Sequence, residues 1–96
     1  MVKLISIRTS KQKDKKWTAT FQLDNGREKK TRFGQKNASD YTLGASIDKR
    51  NSYRARHKGD NLHDPLSAGS LSYYILWGDS RSMQENIKQF KKKFNI

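Results

Sequence analysis

The segment Asp60–Trp77 constrains the fold of this chain more than any other stretch. It holds the only proline and the longest run that is nearly free of charge. Asp64 before Pro65 is typical of a helix start, with aspartate as the N-cap and proline at the first helical position. Gly78 suits the helix end. A helix that is apolar on nearly all sides is normally buried, so we predict a central core helix. Its apolar and aromatic side chains are Leu66, Ala68, Leu71, Tyr73, Tyr74, Ile75, Leu76 and Trp77.

The chain is short and strongly basic. Its 96 residues suffice for one domain, residues 1–96, with a single core. Only 32% of the residues are hydrophobic, so this core is thin and depends on aromatic side chains. Lys and Arg number 21 against 9 Asp and Glu, a net charge of +12. Such a charge indicates a polyanionic partner: nucleic acid first, an anionic membrane or an acidic protein second.

Several classes of protein are disfavoured by what the sequence lacks. The absence of cysteine excludes disulfides, thiolate metal sites and cysteine nucleophiles. No run is long and apolar enough to cross a bilayer, and Met1–Ser10 has no signal-peptide hydrophobic region. We therefore expect a protein that is neither secreted nor bound to a membrane.

Two strands are predicted in the first part of the chain. Val2–Thr9 is rich in β-branched residues, but its facing is ambiguous, because Ile5 and Ile7 share one face and Val2 and Leu4 the other. Lys16–Leu23 alternates cleanly, which is typical of a half-buried strand. Its inward set is Trp17, Ala19, Phe21 and Leu23, and its outward set is Lys16, Thr18, Thr20 and Gln22.

A hairpin turn is predicted at Asp24-Asn25-Gly26. A two-residue turn would place Lys30 and Arg32 on the core face. A three-residue loop with left-handed Gly26 instead pairs Leu23 with Arg27, Ala19 with Thr31 and Trp17 with Phe33. We prefer the second register because it buries less charge and pairs two aromatic side chains.

Two more helices complete the predicted fold. Residues 34–45 lack periodicity and read as a loop held by Tyr41. Ser46 can cap a mostly polar helix over Ile47–Lys58, and Ser82 with Glu85 forms a capping box before an amphipathic helix that reaches Phe94. The prediction is an α+β fold: a three-stranded antiparallel sheet, made of an N-terminal strand plus a hairpin, followed by three helices of which the middle one is buried.

The basic residues of the first helix and the hairpin are the candidate nucleic-acid contacts. Arg50, Arg54 and His57 share one helix face by their spacing, and guanidinium groups contact phosphate in a bidentate way. The sheet face could add phosphate contacts but has no aromatic pair for stacking bases, and a solvated face explains it more simply. The predicted contacts are Lys30, Arg32, Lys36, Lys49, Arg50, Arg54, Arg56, His57 and Lys58.

Other sites find little support in the residue pattern. His57 and His63 match no metal-ligand spacing, and Asp40, His57 and Ser67 lack a nucleophile motif. We therefore predict neither a metal, a cofactor nor an enzyme. Since carboxylates are scarce, Asp40 is expected to pair with Arg50 or Arg56 as part of the scaffold.

Four segments in fixed order carry a resemblance to a known family. They are KKWTATFQLDNGREKKTRFG, SDYT, YRARH and DPLSAGSLSYYILWG, with the closing IKQFKKKF. In this order the chain resembles a family of small, basic proteins encoded by large nucleocytoplasmic DNA viruses, such as those of algae and amoebae. The resemblance implies a viral setting, in the virion or inside the infected cell.

Charge and resemblance together lead to two functional hypotheses. The first is a virion-associated protein that binds nucleic acid, with DNA favoured, through phosphate contacts and with little sequence preference. The alternative is a minor capsid or assembly protein that binds acidic partner proteins of the virion. The sequence leaves the oligomeric state open.

Overall fold

The computed structural model describes residues 2–96 and confirms the predicted α+β fold. The antiparallel strands β1, β2 and β3 form one sheet in the order β1-β2-β3. A 3₁₀ turn follows, then helix α1, helix α2 with a π-helical turn that continues it, and helix α3. The bounds are β1 Lys3–Thr9, β2 Lys15–Gln22, β3 Glu28–Gln35, the 3₁₀ turn Tyr41–Leu43, α1 Ile47–His57, α2 Ala68–Leu71, the π turn Ser72–Leu76 and α3 Met83–Phe94.

The hairpin between β2 and β3 has the predicted three-residue loop. Trp17 pairs with Phe33 and Ala19 with Thr31, and the Leu23 amide donates to the Arg27 carbonyl at 2.8 Å. Gly26 adopts a left-handed φ of 83°, a conformation that costs glycine little. The register prediction is confirmed, and it directs the side chains of Lys30 and Arg32 away from the core.

A β-bulge settles the facing of β1. Leu4 pairs with Phe21 and Ser6 with Thr20, so Ile5 is the extra residue between them. An inserted residue reverses the alternation beyond it, and Leu4 and Ile7 therefore both contact the core, while Ile5 is half exposed. Simple alternation, which put Leu4 and Ile7 on opposite faces, was wrong for this strand.

The middle helix is buried, as predicted, but it begins later. Ser67 rather than Asp64 is the N-cap, and its hydroxyl accepts from the Ser70 amide. The Asp64 carboxylate instead accepts from the Leu66 amide at 3.0 Å, closing a turn around Pro65. Competition between nearby side-chain acceptors decides such starts. Leu71, Ile75 and Leu76 form the core with side chains of the sheet and α3, namely Leu4, Ala19, Phe21, Phe33 and Phe90.

The starts of α1 and α3 follow the predicted caps in most respects. Ser46 accepts from the Lys49 amide at 3.1 Å, and Ser82 accepts from the Glu85 amide at 3.3 Å. The reciprocal half of the capping box is not formed, because the Ser82 amide donates to the Ser80 hydroxyl at 2.9 Å. The loop before α1 is held by Tyr41, which is 6% exposed.

Candidate nucleic-acid interface

The two arginines predicted on the contact face of α1 bind groups of the protein itself. Arg54 Nε donates to the Trp77 carbonyl at 2.8 Å, and Arg54 Nη2 lies 3.0 Å from Asp79 Oδ1. The Arg50 guanidinium lies 4.8 Å from the centre of the Tyr41 ring. Both side chains are half-buried. The face that they share therefore joins α1 to the segment after the π turn, and it leaves few donors for an external phosphate.

His57 also makes contacts within the protein. Its Nδ1 lies 2.8 Å from Asp60 Oδ2, and its ring stacks on Tyr53 at 4.2 Å between centroids. Tyr53 stacks in turn on Trp77 at 4.6 Å. Burial raises the pKa of Tyr53, and the charge of Asp60 raises it further. Stacking of the three rings packs the C-terminal end of α1 against Trp77, which follows the π turn.

The remaining basic residues predicted as contacts in this part of the chain, two in α1 and one directly after it, face solvent. Lys49, Arg56 and Lys58 are all exposed. Within residues 2–96, none of the three side chains forms an ion pair. These residues, unlike Arg50 and Arg54, keep their donors available for a ligand.

The outer face of the sheet collects four cations, which we call the sheet patch: Arg8, Lys11, Lys30 and Arg32. They line a shallow depression of about 260 Å³ together with Thr9, Thr18 and Thr20. The register explains the grouping, since Arg8 and Arg32 both pair with Thr18 and flank it across the sheet. Lys30 pairs with Thr20 in the next row. In the described part of the chain no carboxylate pairs with any of these four cations.

Sequence reasoning found two members of the sheet patch and missed two. Lys30 and Arg32 were predicted contacts, whereas Arg8 and Lys11 were not. Alternation along β1 could have placed Arg8 on the outer face, but the bulge at Ile5 breaks this alternation and is not evident from the sequence. Lys36, also predicted, is exposed beyond β3, where its amide donates to the Asp14 carbonyl at 3.0 Å. Lys36 therefore lies beside the loop that joins β1 to β2.

Lys16 does not belong to the outer surface on which it was predicted. Its Nζ lies 2.8 Å from Asp40 Oδ2, and the two side chains are 13% and 2% exposed. The predicted pairing of Asp40 with Arg50 or Arg56 was therefore wrong. Arg50 lies instead over Tyr41. The start of β2 places the Lys16 ammonium beside the Asp40 carboxylate.

A metal site or a membrane-spanning helix would be recognisable in residues 2–96. There, no three His, Cys, Asp or Glu side chains lie close enough together to hold a metal ion. None of the helices in this range has the length and apolar character needed to span a bilayer.

The chain shares sequence with proteins of unknown function. A model of a family of unknown function, DUF5754, matches residues 5–57, which include most of the sheet, the 3₁₀ turn and α1. The chain is 36% identical over 80 residues to "Uncharacterized protein L851" of Acanthamoeba polyphaga mimivirus, covering 76% of this chain and 80% of that protein. No solved structure matches. The resemblance to a viral family of unknown function is thus confirmed at that level, and the chain belongs to the DUF5754 family.

Proposed function

We propose that this protein binds nucleic acid through phosphate contacts made by the sheet patch, with little sequence preference. The observation that carries this is the grouping of Arg8, Lys11, Lys30 and Arg32 around threonine hydroxyls. Arginine, lysine and threonine are among the side chains that contact phosphate oxygens in protein–DNA complexes. A net charge of +12 adds a long-range attraction for a polyanion.

The composition of the sheet patch favours backbone contact over base reading. Among the described residues that line it there is no aromatic side chain on which an unpaired base could stack. The described residues that line the patch belong to the sheet and to the loop after β1, and none of them belongs to a helix that could enter a groove. Positively charged side chains on such a surface neutralise phosphates in any sequence.

The viral relative supports a role in the virion or in the infected cell. A small cationic domain that binds DNA without sequence preference suits packaging, where charge neutralisation is the main requirement. The exposed cations Lys36, Lys49, Arg56 and Lys58 would strengthen the attraction from other sides of the molecule.

The test is fluorescence anisotropy with a labelled DNA duplex over a series of salt concentrations. If four phosphates are neutralised, the log–log slope of affinity against salt is about −3.6. The variant Arg8→Ala/Lys30→Ala/Arg32→Ala should lose most of its affinity, and its slope should become shallower by about 2.7, since each contact contributes about 0.9.

The matched control removes three lysines from the exposed side of α3. Lys88→Ala/Lys91→Ala/Lys92→Ala carries the same loss of charge, and all three lysines are exposed. It should keep most of the slope because these residues lie outside the sheet patch. Equal losses in the two variants, or a flat salt response in the wild type, would show that the sheet patch is not the interface.

A second candidate function is assembly with acidic proteins of the virion. Leu43 and Ile47 are 66% and 52% exposed at the junction of the 3₁₀ turn and α1. Exposed apolar side chains beside basic residues suit a protein interface. A defined complex from infected cells that survives nuclease digestion would favour this function over the first.

A further inference from the structure

A polar cleft lies between the last turn of α1 and the end of the hairpin, apart from the sheet patch. Its volume is about 380 Å³, within the range of roughly 300–1,000 Å³ that is typical of small-molecule sites. Its walls come from four separate parts of the chain: β2, the end of β3 with the following loop, α1, and the π turn. We call it the Arg56 cleft after its exposed cation.

One wall of the Arg56 cleft is a fixed ion pair. Asp40 Oδ2 accepts from Lys16 Nζ at 2.8 Å, and Asp40 Oδ1 accepts from the Leu43 amide at 3.1 Å. Lys16 also donates to the Ala38 carbonyl. An ammonium group has three N–H donors, so one donor of Lys16 remains for a ligand while its charge is balanced by Asp40.

Arg56 supplies the charge that the cleft leaves uncompensated. Its side chain is exposed and lines the cleft. Among residues 2–96 it makes no ion pair, in contrast to Arg54. A guanidinium offers five N–H donors in a planar fork that matches phosphate oxygens. The cleft therefore presents one free guanidinium beside a lysine donor, with the hydroxyls of Ser39 and Ser72 also in its lining.

The other side of the cleft is aromatic and apolar. Trp77 and Tyr53 line it and are stacked at 4.6 Å with an interplanar angle of 11°. Leu76, 2% exposed, forms part of the floor. Burial raises the pKa of Tyr53, whose side chain is hydrogen-bonded to that of Ser72.

The space depends on a glycine. Gly34 has a φ of 80°, and a Cβ there would lie 2.9 Å from Leu76 Cδ1 and 3.4 Å from Lys16 Cβ. A side chain at this position would push against Leu76 in the floor, whereas its distance to Lys16 is an ordinary van der Waals contact. The absence of a side chain thus keeps open the part of the cleft between the ion pair and the aromatic wall.

We propose that the Arg56 cleft binds the phosphate monoester of a nucleotide, with Arg56 and Lys16 contacting the phosphate and the Trp77 side of the cleft contacting the base. A single strong cation suits one terminal phosphate better than a polymer backbone. Both faces of the Tyr53 ring are covered, one by His57 and one by Trp77, so a planar base beside the phosphate would meet the edges of these rings in an edge-to-face arrangement. The ligand is either a free mononucleotide or the 5′-phosphorylated end of a strand, which present the same group.

The first experiment is isothermal titration calorimetry with adenosine 5′-monophosphate, adenosine and inorganic phosphate. The monophosphate should bind saturably and more tightly than either fragment. Arg56→Ala should weaken it by about tenfold to a hundredfold, the range for losing a hydrogen bond to a charged group. Lys58→Ala is the matched control, since it removes an exposed cation of the same region that lies outside the cleft, and it should bind as the wild type does.

A second readout uses the two tryptophans. In ¹H–¹⁵N spectra, adenosine 5′-monophosphate should shift the indole N–H signal of Trp77 and leave that of Trp17, which does not line the cleft. The shift should be absent in Arg56→Ala at the same ligand concentration. Both variants should keep the wild-type spectrum without ligand, which shows that they are folded.

Oligonucleotides with and without a 5′-phosphate distinguish a strand end from a free mononucleotide as the ligand of the cleft. Their affinities are measured at high salt, which suppresses binding by the sheet patch. Tighter binding of the phosphorylated strand than of the mononucleotide assigns the cleft to strand ends, and the reverse assigns it to free nucleotides. The sheet patch variant Arg8→Ala/Lys30→Ala/Arg32→Ala should still bind adenosine 5′-monophosphate, so failure of one proposal is distinguishable from failure of the other. Absent binding of the monophosphate, or equal binding by Arg56→Ala, overturns the proposal.

Discussion

At the scale of single residues, Asp40 has the most demanding position. It is 1% exposed, and a buried carboxylate is unfavourable unless it is paired and hydrogen-bonded. Lys16, the Thr42 hydroxyl and the Leu43 amide supply those partners. The Asp40 carbonyl also accepts from the Ala45 amide at 3.0 Å. One residue thus organises the loop between the sheet and α1.

The variant Asp40→Asn should lower the free energy of unfolding by about 3 kcal/mol, because it leaves the Lys16 ammonium without its counter-charge. The control is Asp79→Asn, which breaks the ion pair with Arg54. Its carboxylate is 72% exposed, so the loss should stay below about 1 kcal/mol. Urea denaturation followed by circular dichroism measures both, and similar losses would mean that burial of the Lys16–Asp40 pair is not what matters.

At the scale of elements, the junction between the π turn and α3 fixes the relative position of the last two helices. Asn86, which is buried, donates to the Ile75 carbonyl at 2.8 Å and to the Ser80 carbonyl at 2.7 Å. Its Oδ1 accepts from the Ser80 amide at 2.9 Å. The chain passes Asn86 at Gly78, where a Cβ would lie 2.2 Å from the Tyr74 carbonyl oxygen and 2.7 Å from Asn86 Cγ.

Gly78→Ala should therefore destabilise the protein by about 2 kcal/mol or more, since the backbone or the Asn86 hydrogen bonds must move. Gly59→Ala is the control, because a Cβ at Gly59 meets nothing within 4 Å, and its effect should stay within about 0.5 kcal/mol. Thermal unfolding of the two variants compares them directly. A Gly78→Ala protein as stable as the control would show that the junction has room that the structure does not indicate.

At the scale of the whole molecule, electrostatic repulsion opposes the fold. The net charge is +12 on 96 residues, and most of the cations lie on the surface. The same charge that favours a polyanionic partner thus destabilises the free protein. Burial of a nucleic-acid phosphate against the sheet patch would relieve part of this repulsion.

Raising the salt concentration should therefore stabilise the free protein. Between about 10 mM and 150 mM salt the screening length falls from about 30 Å to about 8 Å. A gain of about 1 kcal/mol would raise the melting temperature by about 4–8 °C for a domain of this size. Calorimetry over a series of sodium chloride concentrations measures the change, and the Lys88→Ala/Lys91→Ala/Lys92→Ala variant should gain less. A melting temperature that falls with salt would contradict the prediction.

The sequence alone determined the features that depend on near neighbours. Alternation in β2 and the left-handed preference of Gly26 specified the hairpin register, because a hairpin pairs residues that are close in the chain. Helical spacing and serine caps located α1 and α3. The apolar side chains of the Asp60–Trp77 segment predicted a buried middle helix, although its start was misplaced.

Only the tertiary structure decided which charges are free. Arg50, Arg54 and Arg56 look alike in the sequence, yet packing of α1 near Trp77 engages the first two and leaves Arg56 exposed. Lys16 and Asp40 are 24 residues apart, and no local pattern indicates that they meet. The facing of Arg8 likewise depends on a bulge in the pairing of β1 with β2. Each outcome follows from distances between remote segments, which local periodicity does not encode.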